Sequence, residues 1–481
     1  MKDVKWTAHI ELLSPLHIGT GTDLLEGVDW IQRDDYVYVA DQEALLEAVF
    51  DRAGEEGRSD ATIARAIAGM TLNDLVDAGY LTPEDFSGDS PLFRYCLPGR
   101  PAMNQISEQI KDVYGQPYLP GSSLKGALRT VLAVGGATVR QLRFDRLGRS
   151  RSWAAQPAER ELFGRNSNYD LLRALQVSDS GPMSPDHLRL ERVNIYPTAG
   201  QRTQYGQQRG LDIDVEALRQ GTTFQVPIKV EGYLLSRQAE QKLRFGKRKN
   251  WLLNLPGWAR KVAGQRMAHE IEFFQQRADG RVVLGFYSRL VQTWEGLDEN
   301  EFLLQVGWGG GWLSKTFGWL LQEDATAFER IVKDYRMTME RGRKAGDPFP
   351  RSRHLVRVGE HPAVPLGWIK VSLEGPQVWA EEEAVEEPVA APVVSRPEDL
   401  QAGMVLEGTV RNVVKFGAFV DIGVGHDGLV HVSELSEGYV RRVEDVVQVG
   451  QRVRVRVLNV ERRGDKWRIG LTMKGMPQRT D

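Results

Sequence analysis

The stretch Tyr118-Leu-Pro-Gly-Ser-Ser-Leu-Lys-Gly-Ala-Leu-Arg129 decides how the first part of the chain folds. An extended Tyr-Leu-Pro entry comes first, and Gly121 then permits an unusual backbone turn. Ser122 or Ser123 can cap the helix that follows, because a serine hydroxyl accepts hydrogen bonds from first-turn N–H groups. Leucines recur at positions 124, 128 and 132, which predicts one buried helix face. The stretch therefore predicts a helix N-terminus presented by a tight turn.

That helix N-terminus has the properties of an anion site. Its first N–H groups have no partner inside the helix, and the helix dipole adds partial positive charge there. Lys125 and Arg129 lie one turn apart beside it. In a polymer the matching anion is a phosphate backbone. The simpler interpretation stays open, in which the glycine and serines start an ordinary helix with two solvated cations.

Length and composition are those of an ordinary protein of about two to four domains. The chain has 481 residues, 41% of them hydrophobic and 26% charged. Its single cysteine, Cys96, excludes an internal disulfide framework and a cysteine-rich zinc site, and we expect no metal or cofactor. Without an apolar signal region or a membrane-spanning apolar run, we expect an intracellular, cytoplasmic protein with no membrane partner.

Charge is nearly balanced overall but unevenly distributed along the chain. There are 62 basic and 65 acidic residues, a net charge of −3 that does not by itself indicate a nucleic-acid partner. Glutamates, alanines and prolines at 379–399 predict an extended acidic linker. Lysines and arginines alternate with aromatic residues at 237–277, a composition that suits single-stranded nucleic acid. The alternative for 237–277 is a solvated helix face above core tryptophans.

Hydrophobic periodicity before the linker predicts an α+β fold with ferredoxin-like domains. A helix after residue 41 and a helical insertion at about 51–115 interrupt the strands. A second sheet domain begins near residue 175, which divides the region into an N-terminal domain at 1–175 and another at 176–378. Strand-like alternation marks residues 4–13, 36–40, 171–177, 188–195 and 224–235.

The loop Ser14-Pro-Leu-His-Ile-Gly-Thr-Gly21 follows the first predicted strand. Its proline ends the strand, while Gly19 and Gly21 free the backbone for close approach to a partner. His17 stands in the middle of this loop. A histidine there can contact a phosphate or backbone group, or it can act as a general acid or base. Because no partner residue is assignable to His17, the sequence favours the first role.

A second glycine-rich stretch is Gly307-Trp-Gly-Gly-Gly-Trp-Leu-Ser-Lys-Thr316. A strand that ends in this stretch would bring bare backbone at Gly309 and Gly311 to a surface, with Lys315 alongside. The phosphate loop of nucleotide hydrolases requires a glycine directly before its lysine, and Ser314 occupies that place here. We therefore reject an ATP site.

Residues 400–476 predict a small five-stranded barrel of the OB type. The strand-like segments are 405–410, 417–422, 428–432, 452–460 and 467–473. Residues 401–481 contain 13 lysines and arginines against 10 aspartates and glutamates, a basic excess that suits RNA.

The predicted barrel resembles the RNA-binding domain first described in ribosomal protein S-one. The resemblance rests on the motifs Lys-Phe-Gly-Ala-Phe, Gly-Leu-Val-His-Val-Ser and Arg-Ile-Gly-Leu-Thr. It implies that Phe416, Phe419 and His431 lie on one face against RNA bases, and that Glu461 and Arg468 complete that face. Residues three apart on one strand point to opposite sides, so a common face for the two phenylalanines requires a bulge at the intervening glycine.

The region before the linker resembles the RAMP superfamily of CRISPR RNA-binding subunits. The two glycine-rich loops and the Pro-Gly-Ser-Ser-Leu-Lys-Gly helix start carry this resemblance. The last loop is similar to that of the subunit numbered five in the Csm series of type III-A effector complexes. The resemblance implies a structural subunit without catalytic residues. Such a subunit binds the 3′ end of the guide RNA (crRNA), caps the filament of effector subunits and recruits nucleases for crRNA maturation.

Two other functions remain open. One is a metal-independent endoribonuclease that processes CRISPR transcripts with His17 as its acid or base. The other is an RNA-binding scaffold outside CRISPR, which would depend on the barrel alone. The residues that we expect to contact RNA are His17, Gly19, Gly21, Ser122, Ser123, Lys125, Arg129, Gly309, Gly311, Lys315, Phe416, Phe419, His431 and Arg468.

Overall fold

The computed structural model forms two compact units, Met1–Val378 and Trp379–Asp481. Most of the predicted linker at 379–399 lies outside the described residues. Within the described part of the chain, no helix is both long enough and apolar enough to span a membrane. The structure describes residues 2–54, 60–136, 153–197, 210–277, 279–317, 322, 324–337, 349–350, 352–375, 396–414, 416–436, 440, 442–463 and 466–475.

The first unit combines strands and helices along its whole length. Its strands are β1 (Val4–Leu12), β2 (Gly19–Leu25), β3 (Trp30–Arg33), β4 (Tyr36–Ala40), β5 (Phe93–Pro98), β6 (Gln105–Gln109), β7 (Leu175–Val177), β8 (Leu188–Pro197), β9 (Leu211–Leu218), β10 (Thr223–Val230), β11 (Glu301–Gln305), β12 (Ser352–Val358), β13 (His361–Pro365) and β14 (Trp368–Glu374). Its helices are α1 (Gln42–Gly54), α2 (Asp60–Ile67), α3 (Leu72–Asp77), α4 (Gly121–Gly136), α5 (Gln156–Phe163), α6 (Arg237–Leu243), α7 (Lys249–Leu253), α8 (Leu255–Gln275), α9 (Arg281–Glu295), α10 (Gly311–Lys315) and α11 (Ala325–Asp334).

One sheet is antiparallel throughout, in the order β11-β14-β1-β10-β7. Strand β1 lies at its centre. Ala8, Ile10 and Leu12 are fully buried, whereas His9 and Glu11 between them are not. This period-two alternation is what one covered sheet face requires, and it confirms the strand predicted at 4–13.

A second sheet has the order β13-β12-β8-β9-β6-β2. Its pairs are antiparallel except β6 with β9, which run parallel. The sequence analysis missed β9 entirely. Both sheets combine strands from before and after residue 175, so strand pairing does not break at that position. The division of this unit at residue 175 stays a prediction.

A small three-stranded sheet, β3-β4-β5, packs with α1 and α3 into a separate hydrophobic cluster. The predicted helical insertion at 51–115 is helical only in part, because β5 and β6 lie within it. Phe93, Tyr95 and Leu97 are buried and Arg94 is exposed between them. That alternation is typical of a strand, and it follows a segment of helical periodicity in the same insertion.

Helix α4 packs into the main core and against α8. Leu124, Leu128 and Leu132 have no exposed surface, as their helical spacing predicts. Burying each leucine contributes about 1.5–3 kcal/mol before entropy costs. This packing fixes the position of the α4 N-terminus.

The second unit is a closed barrel in the order β15-β16-β17-β19-β18. Alternate residues such as Val420, Val430 and Val455 fill its interior with no exposed surface. An α+β fold followed by a five-stranded barrel confirms the predicted fold class. The barrel strands are β15 (Val405–Val414), β16 (Gly417–Asp421), β17 (Asp427–His431), β18 (Arg452–Arg463) and β19 (Lys466–Thr472).

Candidate nucleic-acid interface

A cleft of about 570 Å³ opens where the three predicted motifs of the first unit meet. The backbone N–H of Trp308 donates to the carbonyl oxygen of His17 at 3.0 Å, which fastens the last glycine-rich loop to the first. Residues of α4 from Ser122 to Thr130 also line the cleft. The predicted site residues that line the cleft are His17, Gly19, Gly21, Ser122, Ser123 and Lys315.

His17 is held rigidly at the cleft wall. Its Nδ1 lies 2.6 Å from the carbonyl oxygen of Glu216, and the edge of its ring meets Trp308 at a centroid distance of 5.8 Å. Burial lowers the pKa of His17, because the cation would lose hydration there. The imidazole is therefore neutral at physiological pH and does not attract a phosphate through charge.

A buried ion pair supports this wall from behind. The Glu216 side chain is fully buried, and its Oε2 lies 2.5 Å from Nζ of Lys111. The hydroxyl of Tyr95 donates to Oε1 of the same carboxylate at 2.7 Å, and the backbone N–H of Gln109 donates to Oε2 at 3.0 Å. The network joins β5, β6 and β9. The sequence analysis missed it, because its members are far apart in the chain.

The start of α4 differs from the prediction. Neither serine caps it, because the helix already begins at Gly121, whose N–H donates to Oδ1 of Asp179 at 2.7 Å. A side chain at Gly121 would come within 2.5 Å of the Ser178 carbonyl oxygen, so the glycine permits close approach rather than an unusual turn. Ser122 and Ser123 stand in the first helical turn and face the cleft. The Asp179 carboxylate competes with any anion at this helix end.

Lys125 and Arg129 lie outside the cleft. Arg129 pairs with Asp170 at 2.8 Å and with Glu159 at 3.4 Å, and its guanidinium lies 4.0 Å from the ring centre of Phe163. Partial burial lowers the pKa of Lys125. The geometry gives no support to a phosphate contact by these two residues, which stays a prediction from sequence alone.

The glycines of the last loop serve packing more than exposure. A side chain at Gly309 would overlap Leu366, and one at Gly310 would overlap the hydroxyl of Ser314. Gly311 has φ +59°, a backbone conformation that favours glycine, and open space around it. Neither Gly309 nor Gly311 lines the cleft. An RNA contact by the backbone of Gly309 and Gly311 has no support from the cleft geometry and stays a prediction from sequence.

Charge in the cleft is mixed. Lys315 is exposed there, and desolvation lowers its pKa. Two carboxylates face the same space, Asp23 and Glu108, and both accept hydrogen bonds from hydroxyl groups. Although burial opposes it, hydrogen bonds from Thr22 and from a lysine hold the pKa of Glu108 below its usual range. The cleft therefore does not have the uniformly positive charge of a phosphate-binding site.

The floor of the cleft is apolar. Ile213 and Val215 of β9 contribute aliphatic surface, and Trp308 stands half-buried beside them. The Trp308 ring stacks on His354 at a centroid distance of 3.9 Å and an interplanar angle of 7°. A rigid aromatic beside aliphatic surface and hydroxyl groups matches the composition of ligand sites that hold a flat ring with polar edges.

The His354 stack predicts a pH effect on stability. Burial lowers the pKa of His354 to about 4, whereas an unfolded histidine titrates at about 6.5. Between these values the unfolded chain binds more protons, so stability falls as the pH is lowered from 6.5 to 4. We expect His354→Phe, which keeps a stacked ring, to reduce that fall by up to about 3 kcal/mol in urea denaturation. His361→Phe, at an exposed position, is the matched control, and parallel curves for both variants would contradict the assignment.

The basic, aromatic segment at 237–277 is largely structural. Phe245 is buried, and Trp251 and Trp258 pack against the main core. Arg248 donates to the Leu162 carbonyl oxygen at 2.8 Å, and Arg260 donates to a carbonyl oxygen of the α9–β11 connection at 3.0 Å. The aromatic residues of this segment therefore belong to the core. They do not form an exposed face for single-stranded nucleic acid.

The barrel presents the predicted side chains on its outer surface. Phe419 is half-buried, while Phe416, His431 and Arg468 are exposed, Phe416 by 53%. Gly417 lies opposite His431 and Phe419 opposite Leu429, which puts Phe419 and His431 on the same side of the β16–β17 ladder. Arg468 lies directly opposite Glu461.

The pairing of β16 shows no bulge at the glycine between the two phenylalanines. Phe416 precedes the first residue of β16, so strand alternation does not apply to it. The register shift of this ladder occurs on β15, between Val410 and Asn412. Gly417 is needed because any side chain there would overlap the carbonyl oxygen of Val430.

Curated relatives match a short part of the chain, about as long as the barrel. The chain is 58% identical over 76 residues to protein tex of Bordetella pertussis, which covers 16% of this chain and 9% of that protein. It is 47% identical over 79 residues to the polyribonucleotide nucleotidyltransferase of Synechococcus sp., covering 16% and 10%. The chain therefore spans about a tenth of the length of these relatives.

Among solved structures, a chain of a Csm–crRNA–target RNA ternary complex of a type III-A CRISPR-Cas system has a similar fold. The TM-score is 0.55 at 24% identity, covering 77% of this chain and 100% of that chain. A crystal structure of Csm5 from T. onnurineus gives a TM-score of 0.49 at 23% identity, covering 75% and 99%.

Family models match both units. The S1 RNA binding domain model matches residues 399–473 and identifies the barrel as a domain of that type. The RAMP superfamily model matches residues 9–314, a range that contains the first two motifs of the cleft and the third as far as Ser314. Because that range is well over half of the chain, this protein belongs to the RAMP superfamily.

Proposed function

We propose that this protein is a crRNA-binding structural subunit of a type III-A CRISPR effector complex. The observation that carries the proposal is the convergence of three distant glycine-containing motifs on one cleft in a RAMP fold. The fold similarity to a chain of a Csm–crRNA–target RNA complex supports the same assignment. Position at the 3′ end of the crRNA, capping of the subunit filament and recruitment of nucleases for maturation are parts of this proposal.

The cleft would hold a nucleotide of a single-stranded RNA through its base and ribose more than through its phosphate. Trp308 and the aliphatic floor suit a base, and Lys315 suits one phosphate. Carboxylates accept hydrogen bonds but repel phosphates, so Asp23 and Glu108 suit the 2′-hydroxyl, which can donate. The barrel would add a second RNA contact through effective concentration along its linker.

Substitutions in the cleft distinguish the proposed contact to the ribose from the proposed contact to the phosphate. We expect Asp23→Ala to weaken binding of RNA by about tenfold and to leave binding of DNA of the same sequence unchanged, since only RNA loses a hydrogen bond to a charged acceptor. Lys315→Ala should weaken RNA and DNA equally, because both carry phosphates. Fluorescence anisotropy with matched oligonucleotides measures both ratios. Equal loss for RNA and DNA in Asp23→Ala would contradict the ribose assignment.

We assign no cutting role to His17, because its Nδ1 is fixed by a backbone carbonyl and its partners in the cleft suit binding. Incubating the protein with repeat RNA, alongside His17→Ala, tests this assignment. Cleavage that disappears in the variant would establish the endoribonuclease alternative instead.

The decisive experiment is to copurify the tagged protein from its native cell and to sequence the bound RNA. Short RNAs with a shared repeat-derived 5′ tag, together with large partner subunits, are expected. Mixed cellular RNA without partner subunits would contradict the CRISPR assignment and favour an RNA-binding scaffold.

A further inference from the structure

The barrel has a row of arginines separate from the aromatic face. On β18, Val453, Val455 and Val457 point into the barrel and are at most 3% exposed. The intervening Arg452, Arg454 and Arg456 therefore point outward. Because every second residue of a strand advances about 6.8 Å, three guanidinium groups follow one another along the outer surface. We call this set the arginine row.

The neighbouring strand offsets little of this charge. Thr409, Glu407 and Val405 of β15 lie opposite the three arginines in order. Nη2 of Arg454 lies 3.8 Å from Oε1 of Glu407, with side chains 42% and 57% exposed. An ion pair with both side chains this exposed to solvent contributes little free energy. Glu407 is the one acidic residue of β15 that lies directly opposite the row.

The row continues into the aromatic face along the same strand. A register shift between Val457 and Asn459 bends β18. Beyond the bend Asn459 lies opposite Gly470, and Glu461 lies opposite Arg468 of the predicted face. A nucleic-acid strand whose bases stack on that face can therefore extend its backbone along the row.

We propose that Arg452, Arg454 and Arg456 form a backbone track for the phosphates of single-stranded RNA, beside the base-stacking face of the barrel. The proposal rests on the proposed RNA binding by this barrel and adds a site to it. The outward alternation of three arginines, their even spacing and their continuity with the aromatic face carry the inference. The track recognises phosphates and is indifferent to base sequence.

The test is the salt dependence of RNA binding by the full-length chain. Each phosphate contact on a single strand contributes about 0.7 to the slope of log K against log salt concentration. The triple variant Arg452→Gln, Arg454→Gln and Arg456→Gln should lower the slope for an oligouridylate of about 20 nucleotides by about 2. A fall of less than about 0.7, the equivalent of one phosphate, would overturn the track.

A variant that is expected to bind RNA more tightly distinguishes a lost phosphate contact from misfolding of the barrel. Glu407→Gln removes the carboxylate of β15 that lies opposite Arg454 and should tighten binding at low salt, an effect that general damage to the barrel cannot produce. Unchanged or weaker binding in Glu407→Gln would count against the track.

The double variant Phe416→Ala and Phe419→Ala should weaken RNA binding and leave the slope of log K against log salt concentration unchanged. If that variant binds like the natural chain, the proposed function of the barrel fails; if only the slope change in the triple variant is missing, the track alone fails.

Discussion

Replacing Lys111 by methionine is expected to lower the free energy of unfolding of the first unit by about 3–5 kcal/mol. The Glu216 carboxylate has no exposed side-chain surface, and Lys111 is its ion-pair partner at 2.5 Å. Methionine fills the space of the lysine stem but leaves the carboxylate buried without a counter-charge. Its tyrosine and backbone donors alone offset only part of that cost.

Urea denaturation followed by tryptophan fluorescence measures the loss. Arg100→Met is the matched control, because its pair with Asp35 has side chains 70% and 77% exposed, and it should change stability by about 1 kcal/mol or less. Adding Glu216→Gln to Lys111→Met should recover part of the loss, since the uncompensated charge is then gone. A Lys111→Met variant as stable as the control would show that the buried pair contributes little.

The double variant Phe416→Ala and Phe419→Ala is expected to weaken binding of single-stranded RNA by about 2 kcal/mol or more, roughly 30-fold. Phe416 is 53% exposed and Phe419 is half-buried, so both rings reach the surface of the barrel. Each ring can stack on an unpaired base, and stacking contributes about 1–3 kcal/mol per base. The inward-facing core of the barrel is untouched, so the barrel should stay folded.

Fluorescence anisotropy with a labelled oligouridylate measures this effect. Tyr233→Ala is the matched control, since it removes another exposed aromatic side chain, 61% exposed, from the other unit. It should leave the affinity unchanged. A loss below about threefold, or an equal loss in Tyr233→Ala, would mean that the two phenylalanines do not stack on bases.

The barrel was predictable from sequence because each strand is indicated by a pattern within a few neighbouring residues. Each of its strands is an alternating run bounded by turn residues, and all five lie within residues 405–472. The predicted segment at 417–422 matches β16 (Gly417–Asp421) to within one residue. The α4 helix was predictable for the same reason, since its buried leucines repeat every four residues.

The chemistry of the cleft was much less predictable. Asp179 caps α4 from 58 positions away, and Lys111 pairs with a carboxylate 105 positions away. Glu108 and Asp23 meet only because β2 pairs with β6. No periodicity in the sequence indicates such contacts, because they depend on which strands become neighbours. Arg129 is a second example. Its position near the start of α4 suggested a phosphate contact, but the sequence does not show that Asp170 folds against it and forms an ion pair.

In the glycine-rich loop, the structure gives two glycines a packing role that the sequence does not indicate. The motif does reach the cleft, through Gly307, Trp308 and Lys315. Its inner glycines, however, make room for Leu366 and Ser314. Bare backbone that approaches a ligand and bare backbone that approaches another part of the protein require the same residue, so sequence cannot separate them.

The place of β1 at the centre of its sheet sets the order of events while a ribosome makes the chain. One edge of β1 pairs with β10, and the other pairs with β14, where Thr7 meets Glu374. At about 5–20 residues per second, the second partner emerges on the order of 20–70 seconds after the first strand. For that time a strand with one apolar face has an unpaired edge, which can pair with another chain and aggregate. The nascent first unit is therefore expected to need a holding chaperone, whereas the barrel can fold as soon as it is made.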